Sequence, residues 1–166
     1  MEKHFEHGCV DKVELVVPLK EQYLTILRLT ISDLFDKLGL SVCEVVGYKV
    51  AVTDACRNLI YFAHRHLCAK ELKLVISLTP DRITIFCGTI GKCFCRSRVT
   101  THPALDQQDF YKDIDLLAVS SLVDHYRVSL RQAKGQCSAV VELVKFLPRA
   151  QNSYLWGSFP SRPCIS

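Results

Sequence analysis

From Glu71 to Cys87 the sequence alternates, breaks once, and resumes. Leu72, Leu74, Ile76 and Leu78 alternate with Glu71, Lys73, Val75 and Ser77. A period of two sends successive side chains to opposite faces of a strand, so this is a strand with one buried face. Thr79-Pro80-Asp81 supplies the turn, with a proline and an aspartate in turn-forming positions. Residues 82–87 return, with Ile83, Ile85 and Cys87 on one face. A hairpin of this kind is marginal in water and has to be covered by other apolar elements. That requirement constrains the rest of the chain.

The covering elements are legible. Val13, Leu15 and Val17 alternate through residues 12–17, a strand that Pro18 ends. Tyr23, Leu27, Ile31, Leu34 and Leu38 recur at helical spacing over residues 20–38, and Gly39 is placed to terminate that helix. Ser41 followed by Glu44 three residues on forms a capping box for a second helix, which runs to about His66. From Gly88 to about Asp109 the periodicity lapses, and an irregular stretch of that length in a compact domain is often a lid. Residues 110–125 read as a helix through Ile114, Leu117, Val119 and Leu122. Two strands follow, near 126–132 and 138–147, joined through Lys134-Gly135 and ended by Pro148. The predicted fold is an α/β two-layer sandwich, its sheet largely antiparallel and its helices on one face. The expected organisation is a flexible arm over 1–11, one domain over 12–147, and a tail over 148–166 holding Tyr154, Leu155, Trp156 and Phe159.

Composition narrows the function classes. The 166 residues are 49% apolar and 23% charged, as in a globular domain. The net charge of +4 is scattered, which argues against direct nucleic-acid binding through a basic stripe. No apolar run reaches the roughly 18 residues of a membrane span, and Met-Glu-Lys-His does not open a signal peptide, so the expected location is the cytoplasm. The nine cysteines are odd in number and irregularly spaced, unlike a disulfide framework. Cys43, Cys56 and Cys87 fall at apolar-periodic positions and read as small buried hydrophobes. Cys93 and Cys95, with His102 nearby, lack the second pair that a zinc site needs, so free thiols are expected.

The segment 50–65, VAVTDACRNLIYFAHR, carries the chemistry. Val45, Val52, Ala55, Cys56, Leu59 and Phe62 form the side of the helix that packs on the sheet. Asp54, Asn58, Tyr61 and Arg65 share another side, with Asp54 and Asn58 one turn apart. A carboxylate serves as a general base, and an amide oxygen ligates a hard cation such as Mg²⁺. A solvated polar stripe has the same spacing, so periodicity alone leaves both readings open.

Val52-Thr53-Asp54-Ala55-Cys56-Arg57-Asn58 resembles the N-box of the GHKL ATPases, in the V-x-E-A-C-x-N form of the RsbW-like anti-sigma-factor serine kinases. The likeness runs from about residue 12 to 147, through VELVVPLKEQYLTILRLTISDLFDKLGL, the hairpin, and LLAVSSLVDHYRV. It implies a Bergerat fold, ATP and Mg²⁺ beneath a lid, a homodimer, and two partners: a sigma factor and an anti-anti-sigma (STAS-type) protein. By this resemblance Asp54 replaces the catalytic glutamate and Asn58 matches the Mg²⁺ ligand. The carboxylate of Asp54 is one methylene short, and a displacement of about 1 Å can cost about 100-fold in rate. The family's Asp-x-Gly, which holds the adenine amino group, corresponds to Thr89-Ile90-Gly91, a threonine in place of the aspartate. Its Gly-x-Gly, which receives phosphates, corresponds to Asp113-Ile114-Asp115. Two carboxylates there add bulk and charge; like charges about 4 Å apart repel by roughly 4 kcal/mol at an effective dielectric of 20. Lys92, Arg96 and Arg98 are the lid's cations. The resemblance therefore implies a partner-switching regulator with a degenerate ATP site, or an active kinase that tolerates these changes. A regulatory module serving another partner system is the third reading.

Overall fold

A computed structural model describes residues 11–93, 116–133 and 136–147. The elements are β1 (Asp11–Pro18), a short 3-10 turn (Glu21–Tyr23), α1 (Leu24–Lys37), α2 (Val42–His66), β2 (Leu67–Thr79), β3 (Arg82–Cys93), α3 (Leu117–Ser120), β4 (His125–Ala133) and β5 (Gln136–Phe146). The strands form one sheet in the order β1-β2-β3-β5-β4, every pair antiparallel. This is the two-layer α/β sandwich expected, consistent with a GHKL-like ATPase fold.

One face of the sheet is closed by helices. Leu72, Leu74, Ile76, Ile83, Ile85, Val141 and Leu143 are fully buried there against Ile31 and Phe35 of α1 and Ala51, Val52, Ala55 and Leu59 of α2. Burying each large aliphatic side chain contributes about 1.5–3 kcal/mol. The junction between α1 and α2 is set locally. Gly39 takes φ +71°, its N–H donates to Asp36 O at 2.9 Å, and Leu40 N–H donates to Phe35 O at 3.2 Å. That pair of bonds is a Schellman motif, which needs a residue tolerant of left-handed backbone. Ser41 then starts α2 with a complete capping box with Glu44.

Tyr48 ties the helix layer to the far side of the sheet. Its buried hydroxyl donates to Val144 O at 2.8 Å and accepts from Asp124 N at 3.2 Å. Its ring meets Phe35 at 5.4 Å between centroids, and burial pushes the phenol well above its ordinary range. Beside it Lys145 bridges Glu44 at 2.9 Å and Asp124 at 3.3 Å.

Several sequence expectations need correction. The third strand does not stop at residue 87 but continues to Cys93, so Thr89 and Gly91 lie within it. Past Gly88 the pleat keeps its alternation but polarity no longer follows it: Thr89 and Gly91 face the helices while Ile90 faces out. Pairing with β2 on one side and β5 on the other holds the strand despite that pattern. The 88–109 lid thus loses its first six positions to β3, and residues 94–109 lie outside the described residues. The 110–125 helix is described only as α3, Leu117–Ser120; Ser121–Asp124 turn and β4 begins at His125. β2 starts directly after α2, at Leu67. Cys43 is exposed, whereas Cys56 and Cys87 are buried as read. Asp11, expected in the 1–11 arm, opens β1, while residues 1–10 and the 148–166 tail lie outside the described residues.

Two outcomes follow. Tyr48→Phe leaves buried partners without their hydroxyl and is expected to lower stability by about 1–3 kcal/mol, read from urea unfolding. Lys145, with the Ser41 hydroxyl and N–H, holds the Glu44 carboxyl down at about 2 from an ordinary 4.5. A lowered carboxylate stabilises the fold above its unfolded value and loses that contribution as pH falls toward 2. The melting temperature should drop across that window, and Glu44→Gln should flatten the drop.

Candidate functional site

The 25 residues of α2 make it long enough to cross the sheet and carry chemistry on a side not needed for the core. Val45, Val52, Ala55, Cys56, Leu59 and Phe62 are all buried, as the spacing predicts. Gly47, Asp54, Asn58, Tyr61 and Arg65 fall along one flank, because steps of 3, 4 and 7 residues return to nearly the same direction at 3.6 residues per turn. At Gly47 this flank meets the segment around α3, since a Cβ there would lie 3.7 Å from Leu122; farther along, Asp54 borders the cleft between α1 and α2. Asp54 and Asn58 are both half-buried. Arg57 approaches the Asp54 carboxylate at 4.0 Å and reaches Glu21 at 3.7 Å. Toward the helix end, the Arg65 guanidinium lies 4.9 Å from the Tyr61 ring centre.

Asp54 and Asn58 offer hard oxygen donors one turn apart, which fits a cation such as Mg²⁺ in ligand type. No group of three or more His, Cys, Asp or Glu that could hold a metal occurs among the described residues. A Mg²⁺ here would draw its remaining ligands from water and phosphate, its usual habit.

Thr89 is placed differently from a residue after a strand. It is 1% exposed, and its hydroxyl donates to Glu71 O at 2.9 Å. The register of β2 against β3 shifts between Ala69 and Leu72. Such an irregularity interrupts the ladder, and the hydroxyl supplies a bond to a carbonyl within it. What Thr89 has left for a ligand is the lone pair of a neutral oxygen. Gly91 is buried two positions on, between Ala69 and Cys137 in the register. Asp113, Asp115, Arg96, Arg98, Cys95 and His102 lie outside the described residues, as do the side chains of Lys92 and Cys93.

A second feature escaped the sequence reading. Between α1 and α2 runs an open groove of about 550 Å³ lined by Arg28, Leu29, Val46, Lys49, Val50 and Asp54 among others. It continues past Val42 toward Asp33 and Asp36. Its apolar residues are well exposed: Val42 78%, Leu29 65% and Val46 50%. The signal was present, because Val42, Val46 and Val50 repeat every four residues away from the core stripe.

No protein-family model matches the chain. The serine-protein kinases RsbW of Bacillus cereus (strain B4264), Bacillus thuringiensis subsp. konkukian (strain 97-27) and Bacillus mycoides (strain KBAB4) are each 29% identical over 84 residues. That segment is 51% of this chain and 52% of each relative, so the chain spans about half the length of the curated relatives it matches. The five-stranded antiparallel sheet and its covering helices are consistent with a GHKL-like ATPase fold. Over the matched half, the chain is similar to RsbW. No helix among the described residues is long and apolar enough to cross a membrane.

Cys56 of α2 and Cys87 of β3 meet between the layers, where a hydrogen bond with the Cys87 thiol and burial push the Cys56 thiol up. A protonated, buried thiol is a poor nucleophile. Iodoacetamide should label Cys43 in the native protein and reach Cys56, Cys87 and Cys137 only after unfolding, as read by peptide mass spectrometry. Native labelling of Cys56 at the rate of Cys43 would contradict this placement.

Proposed function

We propose that the chain is an anti-sigma-factor-like partner-switching regulator that binds a sigma factor, an anti-anti-sigma (STAS-type) protein, or each in turn. It acts as a homodimer in the cytoplasm, with a degenerate ATP site. The observation that carries this reading is the groove between α1 and α2. Its exposed Leu29, Val42 and Val46 form an apolar strip, with Arg28, Arg57 and Asp54 toward one end, Asp33 and Asp36 toward the other, and Lys49 between. A contiguous apolar patch rimmed by charge marks a protein-binding surface. The relatives named serine-protein kinase RsbW support the partner-switching class.

The site residues support weak nucleotide chemistry. Thr89 stands where an aspartate would hold the adenine amino group, and its hydroxyl hydrogen is already given to Glu71. A charged acceptor is replaced by a neutral one, at roughly half the bond strength. Asp113 and Asp115 stand where backbone amides would receive phosphates, adding like charge.

Two observations favour the active-kinase reading: the relatives are named serine-protein kinases, and Asp54 and Asn58 lie one turn apart on α2. There Asn58 would hold Mg²⁺ through its amide oxygen, Asp54 would accept the proton of a partner's serine, and Gly91 would admit the adenine. ATP would supply the phosphoryl group.

Capture of native partners by the purified chain separates these readings. Leu29→Glu and Arg28→Glu should each weaken capture of a sigma factor or STAS-type protein at least tenfold, about 1.4 kcal/mol. Asn58→Ala should leave capture unchanged, with or without Mg-ATP. Capture that needs Mg-ATP and is lost in Asn58→Ala contradicts the proposal.

A further inference from the structure

The face of the sheet turned away from α1 and α2 has an apolar patch of its own. Val75, Phe86 and Val140 line it, with Val16 and Ile90 at its margin; Ile90 is 63% exposed. The register explains the cluster. Val75 pairs with Phe86, Lys73 with Gly88, and Gly88 with Val140, so these residues stand in adjacent rows on one face. Gly88 has no side chain at the centre, and a Cβ there would come within 3.2 Å of Val140 Cγ2. The result is a notch of about 350 Å³. Charges around it are mixed and largely paired: Glu14 is held by Lys12 and by Lys73 at 2.8 Å, Glu71 lies beside Lys73 at the notch, and Glu142 stands opposite Arg127.

The chain itself contains a fitting occupant. β5 ends on this same face at Phe146, opposite Arg82, and Leu147 N–H is fixed to Asp81 O at 2.8 Å. Beyond it, residues 148–166 carry Tyr154, Leu155, Trp156 and Phe159 among polar neighbours, with Arg149 and Arg162 on either side. The distance back along β5 from Phe146 to Val140 is about 20 Å, at roughly 3.3 Å per strand residue. Residues 148–153 span roughly the same distance when extended. Pro148, directly after the last anchored residue, favours a change of direction over continuation of the strand. Length and apolar content therefore agree on one occupant. We propose that residues 154–159 fold back over the helix-free face of their own sheet, with Trp156 seated in the notch at Gly88. The face is then covered within one chain, and any partner using it has to displace this segment.

Trp156 is the sole tryptophan, so intrinsic fluorescence of the full 166-residue chain reports on it directly. The folded chain should emit to the blue of the urea-unfolded chain and be quenched by acrylamide severalfold less. Phe86→Glu and, at the exposed edge, Val16→Glu should each move emission and quenching toward the unfolded values while the far-ultraviolet circular dichroism holds. The second variant keeps the test valid if the first fails to fold. Solvent-like emission in the unmodified chain overturns the proposal. So does buried emission that neither variant changes, which would place Trp156 elsewhere. Sedimentation over a dilution series covers the remaining case. A blue shift that persists in the monomer supports folding back within one chain, and one that disappears as a dimer dissociates assigns the face to a second copy and overturns it.

Discussion

The inner face of the β2–β3–β5 region has to be kept from water, and α2 is the element that does most of this. Its sheet-facing residues Ala51, Val52, Ala55, Cys56 and Leu59 are all fully buried. Small residues dominate that stripe, so the helix axis can approach the sheet closely while Ile83, Ile85, Val141 and Leu143 fill the space between. Once α2 is fixed by this burial, by the Ser41 cap and by the Tyr48 hydroxyl, its other sides have fixed directions. One side presents Asn58, the side toward α1 makes the groove, and Asp54 stands at the border between them. Both candidate surfaces are consequences of one packed helix.

Much of this was legible because the chain is locally consistent. The capping box at Ser41–Glu44, the stop at Gly39, the hairpin turn at Thr79–Asp81 and the buried stripe of α2 each combine a strong local signal with the matching tertiary role. The end of β3 was not legible, for a physical reason. There the inner positions hold Thr89 and Gly91 and an outer one holds Ile90, so polarity no longer follows the pleat. Hydrogen bonding to strands on both sides overrides the pattern, and no reading of periodicity contains that term. The 110–125 helix was overextended for a related reason: Leu122 and Val123 keep an apolar spacing through a turn in which Asp124 accepts from Phe146 N at 2.7 Å.

For the site, the sequence located the α2 pair but not the surroundings that weigh its meaning. That Thr89 gives its hydroxyl to an irregular point in β2 depends on a contact 18 residues away. The groove depends on how α1 lies against α2. These surroundings favour the proposed division of labour: Thr89 serves the core through its bond to Glu71, and its hydroxyl hydrogen is not left for a ligand. Fold alone assigns no activity, so the chemistry of these positions has to carry the functional reading.

The central claim is that this scaffold works by binding protein while its nucleotide chemistry has lapsed. Calorimetric titration of the natural chain with Mg-ATP, beside a chain carrying Asp113→Gly and Asp115→Gly, tests it most directly. The account predicts no saturable binding, or very weak binding, by the natural chain and a clear gain in the double variant. Tight Mg-ATP binding by the natural chain, with phosphate transfer to a partner serine that Asn58→Ala abolishes, would contradict it.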